Sequence, residues 1–211
     1  MSYGGILVIQ SWMNKPKRTF CPACSYPITT CICSALVTIH HRVKVWILQD
    51  PTEVSHAKNT VRLLQLILNR CKVFVTDEPV PQPSEITATN TVVIYPSEFA
   101  VDLEKWSAQA NQSDPSQCNT TYIKHIILLD GSWRKTKKIW ETHAWLQALP
   151  CVSFANAPAS QYAIRKAPFA GSMSTLEATA YALWLIETVP MTPFYEALAA
   201  LQEHWYRHQP M

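Results

Sequence analysis

The scarcity of glycine limits most strongly which ligand-binding loops this chain can form. Only four of its 211 residues are glycine. They stand at positions 4, 5, 131 and 171. Phosphate-binding loops of the Gly-x-Gly-x-x-Gly and Walker A types need several glycines at short fixed spacings, because the backbone must approach the phosphates closely. Neither pattern can be written with these four positions, so a nucleotide-like ligand must be held by other means.

The balance of residue types indicates a folded chain. Hydrophobic residues make up 48% and charged residues 16%, which excludes wholesale disorder. The length predicts one domain with a large core that needs no disulfides. A net charge of +3 does not by itself identify nucleic acid as a partner. No apolar run approaches the roughly 20 residues of a membrane helix, and residues 6–9 are too short for a signal peptide, so we expect a cytoplasmic, reducing location.

Four of the seven cysteines are clustered in two short pairs near the N-terminus, Cys21-x-x-Cys24 and Cys31-x-Cys33. In a reducing compartment such clustering indicates metal or redox chemistry before disulfides. Zn²⁺ takes four thiolates in a tetrahedron, and two close pairs joined by a tight loop can provide it. We therefore predict a closed, structural Zn²⁺ site, with disulfides or a redox pair as the alternatives.

Apolar, β-branched segments alternate with segments of helical periodicity along the chain. The predicted strands are 43–48, 73–75, 91–95, 123–129 and 152–154. The predicted helices are 59–71, 97–108 with Ser97 as its cap, 134–149, 175–187, and a last helix with Phe194, Leu198, Leu201 and Trp205 on one face. Residues 111–121 are polar and predict an excursion without regular structure. The alternation predicts an α/β fold with a parallel sheet.

One candidate site follows the most hydrophobic predicted strand. In open α/β sheets, ligands bind beyond the carboxyl ends of the strands. Asp130 ends this strand, Gly131 permits a sharp turn, and Ser132 and Trp133 lead into a helix. The alternative is that Asp130 or Ser132 only caps that helix.

Three further segments lie at predicted strand ends or helix starts. Ser174 and Glu177 have the spacing of a capping box, which alone explains them; Ser174 and Thr175 with the first helical N–H groups can also hold a ribose or a carboxylate. Just upstream, Arg165 and Lys166 can meet a phosphate or a carboxylate. The loops Tyr95-Pro96-Ser97 and Asp50-Pro51-Thr52-Glu53 are ambiguous between turn and site.

A basic stretch begins directly after the turn at Asp130. It places four cations within residues 134–138, a pattern that usually marks a solvated helix face. Its position beside the candidate site favours contact with an RNA backbone, and Lys15, Lys17 and Arg18 can extend the same track. Trp133, at the turn itself, is the tryptophan that we expect to stack on a base or on adenine.

Together these motifs resemble the DTW-domain family, the tRNA-uridine aminocarboxypropyltransferases. The family's Asp-Thr-Trp signature appears here as Asp130-Gly131-Ser132-Trp133, with Ser132 in place of threonine. The likeness extends to the cysteine pairs, to Gln49-x-Pro51-x-Glu53 with Asn59-Thr60, and to residues 174–178. Asp50 stands where the family leads us to expect histidine. The resemblance covers residues 20 to 205.

The resemblance implies a SPOUT-like sheet with a C-terminal trefoil knot, and the use of S-adenosylmethionine as co-substrate. It implies transfer of the 3-amino-3-carboxypropyl group to N3 of a tRNA uridine, in the variable loop by analogy with bacterial relatives, with release of methylthioadenosine. The predicted organisation is an N-terminal extension (1–19), a zinc knuckle (20–35) and a DTW/SPOUT-like catalytic domain (36–211).

The predicted roles follow from these motifs and the resemblance together. Asp130 is the general base, and we expect burial to raise its pKa. Arg165 or Lys166 can bind the donor's carboxylate and Glu177 its ammonium. The predicted donor-binding residues are Tyr95, Pro96, Ser97, Leu129, Ser132, Trp133, Ser174, Thr175 and Glu177. The predicted RNA-binding residues are Arg134, Lys135, Lys138, Arg165 and Lys166.

Two other functions fit parts of the same pattern. A SPOUT RNA methyltransferase uses the same co-substrate but transfers its methyl group, so the by-product separates the two enzymes. A non-catalytic zinc-knuckle protein would bind RNA through the basic helix and the cysteines alone. The polar residues at several strand ends favour an enzyme, because a binding platform needs fewer of them.

Overall fold

A computed structural model describes residues 19–112, 123–164 and 172–207 of the chain. The predictions for the basic residues at 15–18, for Arg165 and Lys166, for Gly171 and for most of the polar segment 111–121 concern residues outside these ranges. None of the helices in the described ranges is long and apolar enough to cross a membrane.

The core of the described part of the chain is one sheet of six parallel strands; the alternating pattern predicted the parallel pairing and five of the six strands. Numbered in chain order, their spatial order is β2-β1-β5-β3-β6-β4. The strands are β1 (Lys44–Gln49), β2 (Cys71–Val75), β3 (Thr91–Ile94), β4 (Val101–Asp102), β5 (His125–Asp130) and β6 (Cys151–Ser153).

Within the described ranges, seven α-helices connect or flank these strands. They are α1 (Pro51–Val54), α2 (Val61–Ile67), α3 (Leu103–Gln112), α4 (Trp133–Thr142), α5 (Ala144–Gln147), α6 (Thr175–Glu187) and α7 (Thr192–Arg207). The bounds of α6 match the prediction. In α7 the predicted core stripe is also confirmed, because Phe194, Leu198 and Leu201 are buried.

The central pair of strands, β1 and β5, sets the position of the candidate site. Both are buried along almost their whole length, which is typical of strands covered on both faces by helices. Their parallel register places Gln49 opposite Asp130 at the carboxyl end of the sheet. The backbone N–H of Asp50 extends the pairing by donating to the carbonyl of Asp130 at 2.9 Å.

The predicted helix 97–108 begins later than its sequence suggested. Val101 and Asp102 first pair with β6 as an edge strand, and the helix starts at Leu103. The cap is Asp102, whose Oδ1 accepts the N–H groups of Glu104 and Lys105 at 3.0 and 3.2 Å. Ser97 as the cap was therefore wrong: its N–H closes a tight turn onto the carbonyl of Tyr95.

Two other predicted helices are shorter than expected. The segment 134–149 divides at His143, whose Nδ1 donates to the carbonyl of Ile139 and whose Nε2 accepts the N–H of Val80. The segment 59–71 ends at Ile67, after which Leu68 forms a bridge with Ile39 and β2 begins. In both cases a contact distant in sequence ends the helix, so periodicity alone could not place the boundary.

The cysteine-rich segment packs against the rest of the chain. Tyr26 and Ile32 are buried in the same core cluster as α2, α6 and α7. The guanidinium of Arg62, on α2, lies over the Tyr26 ring at 4.4 Å and donates to the carbonyl of Ser25. The division into extension, knuckle and catalytic domain stays a prediction.

Candidate functional site

The carboxylate of Asp130 is the meeting point of three segments that are far apart in sequence. Its side chain is buried, with the residue 8% exposed. Oδ2 accepts a hydrogen bond from Nε2 of Gln49 at 2.9 Å, and Oδ1 accepts one from the hydroxyl of Thr175 at 2.5 Å. Gln49 is the last residue of β1 and Thr175 is the first residue of α6. The carboxylate of Asp130 therefore links the carboxyl edge of the sheet to the start of α6.

This arrangement argues against the interpretation that the turn after β5 only caps α4. Ser132 occupies the N-cap position of α4, but its side chain makes no capping hydrogen bond. Asp130 is bonded to Gln49 and Thr175 instead. The polar residues of the turn are thus not explained by capping α4.

Gly131 is needed at this turn because there is no room for a side chain. Its φ is +158°, and a Cβ atom at this position would lie 2.9 Å from Cβ of Lys135 and 3.5 Å from Cβ of Asp50. The first distance is too short for two carbon atoms. A glycine therefore lets β5 turn into α4 while both stay close to the loop after β1.

The loop after β1 supports the site through Asn59. The side-chain Oδ1 of Asn59 accepts the N–H groups of Val61 and Arg62 and the Nε2 of Gln49, the last at 3.3 Å. Its Nδ2 donates to the carbonyls of Glu53 and Val54 at 3.0 and 3.3 Å. The Gln49 and Asn59 positions that carried the family resemblance thus form one hydrogen-bonded unit with Asp130.

The same loop holds the first turn of α4. Nζ of Lys135 lies 2.8 Å from Oε1 of Glu53 and 3.5 Å from Oδ1 of Asp50, and it donates to the hydroxyl of Thr52 at 2.5 Å. The hydrogen bond to Glu53 raises the pKa of Lys135. Asp50 also caps α1 by accepting the N–H of Thr52 at 3.0 Å. Sequence reasoning missed this pairing, because opposite charges 82 residues apart leave no local signal.

The predicted capping box at α6 is present. Ser174 Oγ accepts the N–H of Glu177, and the Glu177 carboxylate accepts the N–H of Ser174 at 2.8 Å. Glu177 is fully buried and also accepts the hydroxyl of Ser160 and the N–H of Gln161. These contacts give Glu177 a structural task, which is to fasten the loop before residue 165 to the start of α6; its predicted contact with the donor's ammonium stays a prediction.

Aromatic side chains line the end of β3 beside this edge. The ring of Tyr95 stacks on that of Trp140 with centroids 4.9 Å apart, and it lies 6.4 Å from the ring of Trp133. Burial raises the pKa of the Tyr95 hydroxyl. Trp133 remains 45% exposed, whereas Trp140 is half-buried. Pro96 is exposed and Ser97 half-buried, and Leu129 is the half-buried neighbour of Asp130 in β5.

The basic residues of α4 do not share one environment. Arg134 and Lys138, four residues apart, are exposed. Lys137 lies 3.7 Å from the carboxylate of Glu141 one turn away. Lys135 is engaged with the loop after β1, so its predicted contact with RNA competes with an existing ion pair.

The four clustered cysteines have the geometry of a metal centre. Their sulfur atoms all lie within 4.8 Å of one another. Cys21 and Cys33 are 3.7 Å apart, and Cys24 and Cys31 are 3.8 Å apart. Metal–sulfur distances of about 2.3 Å in a tetrahedron place neighbouring sulfurs about 3.8 Å apart, whereas a disulfide needs about 2.05 Å. The donor set therefore fits a tetrahedral metal ion, and the four thiols are free in the structure.

The backbone also favours a thiolate at this centre. The N–H groups of Cys24 and Ala23 hydrogen-bond the sulfur of Cys21, and they lower the pKa of its thiol to about 6. The neighbouring sulfurs of Cys31, Cys24 and Cys21 raise the pKa of Cys33 to about 12. Without a cation, the four sulfurs cannot all be charged at neutral pH, and a divalent cation removes this conflict.

A separate cavity of about 400 Å³ lies at the opposite, amino end of β1. It is lined by His40, His41, Arg42 and residues 187–190. None of the predicted site residues contributes to it.

Comparisons with known proteins identify the same family that the motifs resemble. The sequence model of the DTW domain matches residues 18–209. The chain is 29% identical, over 81% of its length, to proteins named tRNA-uridine aminocarboxypropyltransferase 2 from Macaca fascicularis and Mus musculus, and it covers 57% of each. The Drosophila melanogaster protein of that name is 29% identical over 82% of the chain and is covered to 69%. The chain thus spans little more than half the length of the two mammalian relatives. No solved structure matches significantly.

Proposed function

The chain belongs to the DTW-domain family, and we propose that it is a tRNA-uridine aminocarboxypropyltransferase in which Asp130 is the general base. It transfers the 3-amino-3-carboxypropyl group of S-adenosylmethionine to N3 of a uridine, in the variable loop of tRNA. The observation that carries the proposal is the convergence of Gln49 and Thr175 on the buried carboxylate of Asp130. That carboxylate lies at the edge of the sheet where α/β folds bind their ligands.

The donor binds across the ends of β3 and β5 and the start of α6. The sulfonium activates three carbons, so the protein selects the transferred group by the carbon that it places against the nucleophile. Support comes from the neighbouring positions of β3 and β5 in the sheet and from the exposed ring of Trp133 beside Tyr95. The proposed contacts are Tyr95, Pro96, Ser97, Leu129, Ser132, Trp133, Ser174 and Thr175.

Asp130 removes the N3 proton of the uridine. The N3 lone pair forms a bond to the γ-carbon of the donor's methionine moiety, and the bond between that carbon and sulfur breaks. The electron pair of this bond stays on sulfur, and methylthioadenosine leaves. A general base at this position contributes a factor of about 10² to 10⁴. The hydrogen bonds of Gln49 and Thr175 favour the ionised carboxylate, so they keep Asp130 deprotonated before the uridine binds.

The RNA lies along the first two turns of α4. Arg134 and Lys138 are exposed beside the site and contact backbone phosphates, while Trp133 stacks on an unpaired base or on adenine. Arg165 and Lys166 extend this surface in our proposal. The four cysteines hold a structural Zn²⁺, because a site with four protein ligands has no open position for substrate.

The family relationship also supports the finer features of the proposal. We assign the chain a SPOUT-like fold with a trefoil knot in its C-terminal half, which holds the donor without a glycine-rich loop. An enzyme that modifies tRNA is expected in the cytoplasm. The knot assignment extends the α/β architecture described above.

Double labelling of the donor tests the reaction. The purified protein is incubated with an unmodified tRNA transcript and S-adenosylmethionine that carries ¹⁴C in the carboxyl group or in the methyl group. We expect only the carboxyl label to reach the tRNA, with methylthioadenosine as the by-product and an aminocarboxypropyl-uridine found by nucleoside mass spectrometry. Transfer of the methyl label with S-adenosylhomocysteine would show a methyltransferase, and RNA binding without either transfer would show a binding protein.

The Asp130→Asn variant tests whether Asp130 is the general base. Asparagine keeps the size of the side chain and cannot take the proton, so we expect transfer to fall by a factor of about 10² or more. The circular dichroism spectrum and the zinc content should match those of the wild type. Activity within a factor of about three of the wild type would refute the role of Asp130 as base.

A further inference from the structure

Residues 160–164 connect two parts of the fold whose side chains donate to the proposed base. We propose that this segment positions both of these donors. Ser160 holds the start of α6, where Thr175 lies. Tyr162 holds the loop before α2, which supports the amide of Gln49. The inference rests on the proposed function, because it concerns the carboxylate that we propose as the base.

The first contact of the segment is with the start of α6. The carboxylate of Glu177, a residue with no exposed surface, accepts the hydroxyl of Ser160 at 2.8 Å and the backbone N–H of Gln161 at 2.6 Å. The same carboxylate accepts the N–H and the hydroxyl of Ser174, both at 2.8 Å. Because Ser174 directly precedes Thr175, one buried carboxylate ties the segment to the residue beside a donor of the base.

The second contact is with the loop before α2, and it runs in both directions. The hydroxyl of Tyr162, a residue that is 9% exposed, donates to the backbone carbonyl of Lys58 at 2.5 Å. Nζ of Lys58 in turn donates to the backbone carbonyl of Ile164. Lys58 directly precedes Asn59, whose Oδ1 accepts a hydrogen bond from Nε2 of Gln49 at 3.3 Å. The segment therefore holds the chain next to the residue that supports the Gln49 amide.

A side chain of α7 holds the middle of the segment. Oε1 of Gln202 accepts the N–H groups of Ala163 and Ile164 at 2.6 and 3.3 Å. Its Nε2 donates to the carbonyl of Gln161 at 3.0 Å. Exchanging the oxygen and the nitrogen would oppose donors to donors, so these contacts also fix the orientation of the amide. The shape of this irregular segment is thus set by side chains of three other elements.

The two contacts bear on the two donors in different ways. The backbone of Gln49 is fixed by its pairing in β1, so the loop before α2 determines only where its amide group lies. Thr175 is the first residue of α6, so it moves with the start of that helix. A displacement of about 1 Å at a group that supports the chemistry can cost about 10²-fold in rate. Loosening either contact should therefore lower the rate of transfer without removing a group that touches substrate.

Removing the Tyr162 hydroxyl tests the contact with the loop before α2. Tyr162→Phe keeps the ring, and we expect kcat for transfer to tRNA to fall by about 5-fold or more. Tyr181→Phe is the matched control, since Tyr181 is also buried and its hydroxyl donates to Glu104 of α3 and to the carbonyl of Asn156. The control should keep kcat within a factor of about two. Both variants should keep the circular dichroism spectrum of the wild type.

The side-chain amide of Gln49 reports this contact without any need for activity. Its two ¹H–¹⁵N NMR signals are assigned by their loss in Gln49→Met. We expect both signals to shift in Tyr162→Phe and to keep their wild-type positions in Tyr181→Phe. Unshifted signals in Tyr162→Phe would overturn the inference for this donor.

A double-mutant cycle separates positioning from a general loss of stability. If Tyr162 acts through Gln49, its hydroxyl matters only while Gln49 donates to the base. We therefore expect Tyr162→Phe to change the single-turnover rate by less than about twofold in the Gln49→Met background. Equal factors in the two backgrounds would show that Tyr162 supports only the fold, and would overturn the inference.

The same design tests the contact with α6. Ser160→Ala removes one hydroxyl from the Glu177 carboxylate, and we expect the single-turnover rate to fall by about 3-fold. This factor should disappear in the Thr175→Val background and persist in the Gln49→Met background. Ser107→Ala, which removes a hydroxyl that donates to a carbonyl of α3, is the control and should leave the rate unchanged.

The outcomes separate this inference from the proposed function. A wild-type protein that transfers nothing, while Tyr162→Phe still shifts the Gln49 signals, would refute the transferase proposal and leave the contact between the segment and Gln49 confirmed. A wild-type protein that transfers the aminocarboxypropyl group, with Tyr162→Phe and Ser160→Ala both as active as their controls, would leave the proposed function standing and overturn the inference.

Discussion

The ammonium of Lys135 lies 2.8 Å from Oε1 of Glu53, and this pair joins the first turn of α4 to the loop after β1. The contact explains why a lysine of the basic stretch faces the protein instead of solvent. Glu53 is buried, so its carboxylate depends on donors within the fold. The ion pair therefore holds the loop after β1 and the first turn of α4 in fixed positions on the two sides of Asp130.

Removing this ammonium should destabilise the protein. In Lys135→Met the alkyl stem is kept and the charge that Glu53 and Asp50 share is lost. We expect the free energy of unfolding in urea to fall by about 1–3 kcal/mol, since a buried carboxylate loses a charged donor. Lys137→Met removes an exposed cation from the same helix and should change it by less than about 0.5 kcal/mol. Equal losses in the two variants would show that the pair adds no stability.

The cysteine centre predicts a bound metal. The purified protein should contain close to one zinc ion per chain by elemental analysis, and Cys31→Ser should lose most of it, because one of four ligands is gone. Cys71→Ser is the matched control, since Cys71 lies in β2, outside the cluster, and burial raises its pKa to about 12. Zinc content below about one tenth per chain in the wild type would refute a structural site.

Removing the metal with a chelator should destabilise the whole chain and not only the zinc knuckle (20–35). Tyr26 and Ile32 lie in the core cluster shared with α2 and α7, so unfolding the knuckle exposes part of that core. We expect removal of the metal to lower the thermal unfolding temperature of the whole chain. An unchanged unfolding temperature after complete removal would contradict this coupling.

Five of the six strands, the position of Asp130 at the end of β5 and the capping box of α6 could be predicted from the sequence, because their signals are local. β5 is a run of apolar residues that ends in Asp130, and the capping box of α6 is a four-residue pattern. The contact of Thr175 with Asp130 spans 45 residues, and that of Lys135 with Glu53 spans 82. Such contacts depend on the order of the strands in the sheet. The periodicity of apolar residues does not reveal that order. The same reason explains the wrong cap at Ser97, because the pairing of Val101 with β6 is also distant in sequence.

A buried histidine at the amino end of β5 predicts a dependence of stability on pH. Both ring nitrogens of His125 are buried without a hydrogen-bond partner in the described part of the chain, and its ring lies edge-on to Trp46 at 6.0 Å. Desolvation, and then the charge of Lys44, lower the pKa of His125. Because the folded state binds the proton less readily than the unfolded state, its contribution is present above about pH 6.5 and is lost as the pH falls below that value.

Replacing His125 tests the direction of this dependence of stability on pH. His125→Phe cannot be protonated, so we expect its free energy of unfolding to fall less between pH 7.5 and pH 5.0 than that of the wild type, as measured in urea. His41, whose pKa is also lowered by burial, keeps part of the dependence in both proteins. His40→Gln, at an exposed position, should behave as the wild type does. A steeper loss in His125→Phe would contradict the direction.

With tRNA as the proposed substrate, the exposed cations of α4 predict how its binding depends on salt. Each contact between a cation and a phosphate releases counterions, so removing one reduces the slope of log K against log salt by about 1. We expect Arg134→Ser/Lys138→Ser to reduce that slope by about 2 and to weaken binding to all tRNAs alike. Lys105→Ser/Lys124→Ser removes the same charge from two exposed positions outside α4: Lys105 is on α3, and Lys124 precedes β5, at the opposite end of that strand from Asp130. If the control pair lowers the slope as much as the α4 pair does, the attraction is a property of net charge and the RNA does not lie along α4.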